Sequence, residues 1–131
     1  MKTSSCKAKG RRLQDEVRMN LRLLGSHFGL EDDDIKSQIM GVSGVDIILS
    51  PAAKKVLGDL CIECKNVEKI NLVGVFQHHA EKYQHPKIPI LVHSRNRTEP
   101  MVTISLRTFI DLLEHFVNFN TRDRSTKNEA A

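Results

Sequence analysis

The chain predicts an α/β fold with a mixed sheet, and three observations carry that prediction. Apolar residues recur at helical spacing in three stretches, near each end and in the middle. Short β-branched runs bounded by Gly, Ser, Pro and Asn fall between them. At 131 residues there is room for one domain with a real core but not for two. The expected layout is a basic flexible arm over 1–9, a domain body over 10–119 and a polar tail over 120–131.

The arm carries Lys2, Lys7 and Lys9 with no acid, followed by Arg11 and Arg12. From about Gly10 to Leu24 the spacing of Leu13, Val17, Leu21 and Leu24 predicts a helix, with Asn20 on the same stripe and Gly25 as its stop. Glu16 sits at the edge of that stripe. Leu30 to Met40 is open to two readings, an acidic helix start or a loop leading into a strand. Its Glu31-Asp32-Asp33-Asp34 run lacks the glycine and the final glutamate of a calcium loop, so a solvated acidic loop is expected.

Gly44 to Leu49 and Asp59 to Asn66 read as two short strands, and Ser50-Pro51 through Gly58 as the turn of an antiparallel hairpin joining them. Alternation puts Leu60, Ile62 and Cys64 on one face of the second strand and Cys61, Glu63 and Lys65 on the other. Ile70, Val73, Phe76, Ala80 and Tyr83 predict a helix that His85-Pro86 ends, with Gln77 an amide on its apolar side. Lys87 to Ser94 is a buried-type strand, its Pro89 tolerable near a strand start or edge. A basic turn over 95–100 leads to a strand over Met101–Ser105. Ser105 caps a last helix with Phe109, Ile110, Leu113, Phe116 and Val117 at helical spacing, and a frayed end follows.

Composition narrows the function classes. No apolar run approaches the ~20 residues of a membrane span, and the basic N-terminus has no apolar stretch behind it, so neither membrane nor secretory signal is expected. Three cysteines, an odd number, point to a reducing, cytoplasmic compartment. A net charge of +4 and a pI near 9.1 favour anionic partners mildly.

The chemistry concentrates on the two central strands. Asp46 on the first can join Glu63 and Lys65 on one face of the second, a set that suits a divalent cation and phosphate chemistry. An acid-x-Lys triplet is common, and Asp34-Ile35-Lys36 is another. Its ordinary meaning is an ion pair on an exposed sheet face. Glu63 and Lys65 differ because they lie within an apolar strand, where charge needs a partner or a metal. Cys61-x-x-Cys64 with nearby histidines has the letters of a zinc site. In a strand, however, those two thiols face opposite sides, so buried structural cysteines are expected.

From Lys9 to about Leu113 the chain resembles the PD-(D/E)XK nuclease superfamily, most nearly the small Holliday-junction resolvases of archaea and their phage relatives. The residues that carry the resemblance are Lys9-Gly10 leading to Glu16, Ser43-Gly44-Val45-Asp46, Ile62-Glu63-Cys64-Lys65, and Gln77. It departs at Val45, where the superfamily name has proline, and in a longer hairpin turn. The resemblance implies a restriction-endonuclease-like mixed sheet with an αβββαβ core flanked by helices. It also implies a structure-selective, Mg²⁺-dependent DNA endonuclease, with Mn²⁺ able to substitute. Asp46, Glu63 and the Cys64 carbonyl would hold the metal, Glu16 would support a second metal or its waters, and Lys65 and Gln77 would serve the scissile phosphate. Phosphate contacts would fall to Lys2, Lys7, Lys9, Arg11, Arg12, Arg95 and Arg97, with Ser43 beside Asp46.

The implied substrate is branched DNA, above all the four-way junction of recombination or phage DNA processing, in a bacterial, archaeal or phage-infected cell. Cutting two symmetric strands implies a homodimer, whose interface the last helix or the strand near Ile90 could supply. Two alternatives stand beside this reading. One is another endonuclease of the same superfamily acting on forks, flaps or duplex DNA. The other is a non-catalytic basic module that binds nucleic acid or a protein partner on the same scaffold.

Overall fold

The strand Leu60–Asn66 sets Ile62 and Cys64 into the main core and buries Cys61 on its other face. The structure, a computed structural model, describes residues 3–130 of the backbone and the side chains of 6–124. In chain order its elements are α1 (Thr3–Ser26), β1 (Ile35–Ser37), β2 (Ile47–Leu49), α2 (Pro51–Leu57), β3 (Leu60–Asn66), α3 (Leu72–Lys82), β4 (Ile88–Ser94), β5 (Met101–Thr103) and α4 (Leu106–Ala130). They make one small α/β domain with two sheets, β1-β2 and the mixed β3-β4-β5. Among the described residues no helix is long and apolar enough to cross a membrane.

β1 and β2 pair antiparallel, Ile35 opposite Leu49. β3 and β4 pair parallel, with Glu63 opposite Leu91 and Lys65 opposite His93, and β5 closes the far edge antiparallel to β4. A parallel pair needs a crossover, which α3 supplies. Pro89 stands in β4 before the stretch that β5 reaches, Leu91 to His93, so its missing N–H costs no bond on that side.

The alternation expected for β3 holds. Ile62 and Cys64 pack with Leu13, Ile35, Ile47, Leu49, Ala53 and Val92 into the main core, flanked by Val17, Leu21, Leu60 and Ile90. Cys61 and Leu91 are buried as well, on the opposite face, where α3 crosses. The two buried cysteines therefore point to opposite sides of the strand and are free thiols. Burial pushes the Cys64 thiol up to about 12, helped by the nearby charges of Asp46 and Glu63.

The connection from β2 to β3 corrects the expected hairpin. Ser50 caps α2 by accepting from the Ala53 amide at 3.1 Å, and Pro51 takes the first helical position, where its absent N–H is harmless. Gly58, at φ 90°, ends that helix. β2 and β3 consequently meet without a hairpin ladder, through the Asp46 amide donating to the Ile62 carbonyl at 2.9 Å.

Further boundaries differ from the sequence reading: β2 begins at Ile47 rather than Gly44, which leaves Asp46 in the bend before it, and β5 ends at Thr103. α1 begins at Thr3, so most of the expected flexible arm forms its first turns; Asn66 ties them down by donating to the Lys9 carbonyl at 3.3 Å. At the other end α4 runs to Ala130 where a frayed tail over 120–131 was expected, because no Pro or Gly interrupts it. The ambiguous stretch before Met40 resolves as a 3₁₀ turn over Asp32–Asp34 leading into β1.

Candidate functional site

Asp46 occupies a junction between strands. Its carbonyl accepts from the Gln38 amide at 2.8 Å while its amide reaches Ile62, so its backbone is pinned from both sides. From that position the side chain turns along β3, and Oδ2 accepts from the Cys64 amide at 2.7 Å. In a strand, a residue's N–H and C=O point to the same edge. The Cys64 carbonyl thus opens on the edge that Asp46 occupies. Burial, and then the charge of Glu63, raise the Asp46 carboxyl above its ordinary range, against the Cys64 hydrogen bond and the positive Lys65 and His79.

Glu63 is engaged on both oxygens. Oε1 faces the Lys65 ammonium at 3.4 Å, and Oε2 faces His79 Nδ1 at 3.2 Å. The other ring nitrogen, His79 Nε2, is 2.7 Å from the Cys61 carbonyl. A carbonyl can only accept, and an ionised carboxylate can only accept, so the ring satisfies both neighbours as an imidazolium. Burial at 3% exposure opposes that charge, but the hydrogen bonds to Glu63 and Cys61 outweigh it and raise the His79 pKa. In return the His79 hydrogen bond, with Lys65 adding to it against the cost of burial, brings the Glu63 carboxyl down to about 2.

The expected side chains separate into two places. Asp46 lies close enough to Glu63 and Lys65 for their charges to act on its carboxyl, with the Cys64 backbone between them. Glu16 stands elsewhere. Buried Leu13 and half-buried Val17 turn it outward on the opposite side of the sheet, into a cavity of about 300 Å³ that it lines with Lys9, Arg12, Asn66, Arg95 and Arg97. Gln77 is exposed. The covered side of α3 runs through Leu72, Phe76, His79 and Tyr83; it shares Phe76 and Tyr83 with the stripe read from the sequence, while Val73 is exposed. Gln77 lies two residues from His79, and roughly 200° around the helix, so the two cannot face the same strand.

Among the phosphate-contact candidates, Lys9, Arg12, Arg95 and Arg97 share that cavity. Lys7 and Arg11 are exposed on α1 outside its lining, and Ser43 is exposed on the loop before Asp46. Lys2 lies outside the described residues. The basic turn is built rather than loose. The Ser94 hydroxyl donates to the Thr98 carbonyl at 3.1 Å, and the Asn96 amide donates to Glu68 Oε1 at 2.9 Å. Arg97 holds a φ of 61° at its apex.

His79 is the site residue the sequence reading missed. Its signal was present, since it falls three residues after Phe76 and four before Tyr83, inside an apolar stripe. A polar residue in that position needs a partner on the strand beneath. Gln14 is a second case, buried on α1 next to Leu13. It lies one turn before Arg18, which donates to the Ser37 hydroxyl at 3.2 Å.

Among the described residues no three His, Cys, Asp or Glu side chains form a metal-holding group. The donor set at Asp46 is two carboxylates and backbone carbonyl oxygen. Mg²⁺ is commonly held by one or two carboxylates, with water completing its shell, so the hard-oxygen donors fit it in kind. No family model matches this chain, and no curated protein and no solved structure matches it either.

Proposed function

We propose that this protein is a metal-dependent phosphodiesterase acting on DNA, a structure-selective endonuclease of the restriction-endonuclease-like type. The observation that carries the reading is Asp46, in the bend before β2, bound to the Cys64 amide beside the Glu63–Lys65 pair of β3. Asp46, Glu63 and the Cys64 carbonyl are the groups that would hold Mg²⁺. When bound, Mg²⁺ supplies positive charge to a phosphoryl oxygen and makes water a stronger acid.

The chain's own residues do the rest. The Cys64 amide fixes one oxygen of Asp46 and so aims the carboxylate. His79 holds Glu63 ionised and in place from behind. Lys65, half-exposed beside Glu63, offers its ammonium to the attacking water or to the charge that builds on phosphorus. On the other side of the sheet, Lys9, Arg12, Arg95 and Arg97 line, with Glu16, a cavity that would take the sugar–phosphate backbone. Such contacts recognise shape, which suits branched DNA, and the four-way junction is the substrate we put first.

The test is Mg²⁺-dependent cleavage of four-way junction, fork, flap and duplex DNA by the purified chain and by Asp46→Asn. Cleavage by the first and not the second is expected. DNA binding without cleavage of any substrate, with Mg²⁺ or Mn²⁺, would instead make this a non-catalytic binding module.

A further inference from the structure

Gln14 is buried without a partner. It is 6% exposed on α1, one residue after Leu13 of the core. Among the described residues its carboxamide makes no hydrogen bond. Buried amides are almost always bonded, and one left unpaired costs stability. The Gln14 amide is not sealed in, because Arg18 Nε alone is both shut off from solvent and partnerless among the described residues. Gln14 therefore ends at a crevice, with two donors and an acceptor unused.

The course of α1 locates that crevice. Asn66 holds the Lys9 carbonyl at one end of β3, and Leu21 lines a cavity with Leu60 at the other, so helix and strand run antiparallel. Gln14 lies about 7.5 Å along the helix from Lys9. Cys64 lies about 6.6 Å along the strand from Asn66, so the two are level. Around the helix, Gln14 and Glu16 stand roughly 200° apart, on opposite flanks of the Leu13–Val17 row that faces the core. The Glu16 flank looks toward Arg95 and Arg97. The Gln14 flank looks the other way. Arg18, one turn on, donates to the Ser37 hydroxyl, and a Cβ on Gly10, one turn back, would touch Met40 Cε at 3.7 Å. That is the side where the Gln38 amide binds Asp46, and where Asp46 in turn reaches the Cys64 amide.

We propose that Gln14 completes the Asp46 site, its carboxamide oxygen accepting from the water that a hydrated divalent cation carries there. The inference rests on the reading of Asp46 and the Cys64 carbonyl as cation-holding groups. Mg²⁺ keeps several of its waters when one or two carboxylates bind it, and those waters donate to acceptors placed around the ion. A neutral amide supplies such an acceptor without a third negative charge beside Asp46 and Glu63, which already repel each other.

The test is calorimetric titration of the metal-free chain with Mn²⁺, without DNA, beside its thermal midpoint. Gln14→Met keeps the volume and removes the polar atoms. Its midpoint should equal or exceed the native one, since a partnerless amide is lost, while the Mn²⁺ dissociation constant rises about tenfold. Gln14→Glu keeps an acceptor oxygen and should bind Mn²⁺ at least as tightly as the native chain. Native Mn²⁺ affinity in Gln14→Met overturns the inference, whatever its midpoint. A midpoint several degrees lower overturns it too, making Gln14 a structural partner of Arg18, as does weaker binding by Gln14→Glu. Where the native chain binds Mn²⁺ and Asp46→Asn does not, such a failure belongs to Gln14 alone. A native chain that binds no Mn²⁺ overturns the cation reading of Asp46 and this inference with it.

Discussion

The Cys64 amide donates to Asp46 Oδ2 at 2.7 Å, so a side chain takes the place where a neighbouring strand's carbonyl would have been. No ladder joins β2 to β3, and the carboxylate makes a link between the two sheets instead. That single bond holds an acid from the bend before β2 beside the Glu63–Lys65 pair of β3. It follows that replacing Asp46 should separate chemistry from folding.

Asp46→Asn keeps an oxygen for the Cys64 amide and removes the negative charge. Mg²⁺-dependent cleavage should drop by about 10²-fold or more, the scale seen when one preorganised electrostatic group is lost. The thermal midpoint should change little, since burial disfavours the ionised form of Asp46 in any case. Cleavage of junction DNA and a melting curve on the same preparation check both halves.

His79→Phe removes the donor from Glu63 and leaves both that carboxylate and the Cys61 carbonyl without their partner. Hydrogen bonds to charged groups contribute about 1.5–3 kcal/mol, so a loss of this order is expected in urea unfolding. Rescue of folding with cleavage still impaired, in His79→Gln, would show that the ring also holds Glu63 in place for the reaction.

The same pair sets a pH window for stability. Glu63 has a depressed pKa, from 4.5 to about 2, so its contribution is full above the unfolded value and disappears as pH falls toward 2. The pKa of His79 is raised above 6.5, so its contribution is full below that value and is lost as pH rises through the folded pKa. Unfolding free energy should therefore hold a plateau between about 4.5 and 6.5 and decline on either side. In His79→Phe the alkaline decline should flatten, read from denaturation midpoints across pH.

Arg97→Gly tests the basic turn without loading its backbone. A φ of 61° is costly for arginine and free for glycine, so the substitution relieves strain while removing a charge. Together with Arg95→Ala it should weaken DNA binding across all sequences. The slope of log K against log salt should fall by about 2 for the two charges. Unchanged salt dependence would place the DNA elsewhere.

Gly25 is buried where α1 passes the chain returning to β1. A Cβ there would sit 2.9 Å from Leu30 Cδ1 and 3.2 Å from Leu30 Cβ. The first atom can swing aside, but the second belongs to the root of its side chain. Gly25→Val should cost about 1–3 kcal/mol by overpacking, in excess of any gain in helix propensity, and chemical denaturation would show it.

The amino-acid sequence by itself determined the α/β class, the two faces of β3, the Ser105 cap of α4 and the pairing of Glu63 with Lys65. These follow from local periodicity and from charge inside an apolar run, which do not depend on distant partners. α2 was legible in principle, as Ser50 before Pro51 marks a helix start, but seven residues are too few to show a period. Only the tertiary structure decided that His79 rather than Gln77 meets Glu63 and that Glu16 joins the basic cavity. Each depends on how a helix is rotated about its axis, and a shift of one residue, about 100°, is set by packing against other elements.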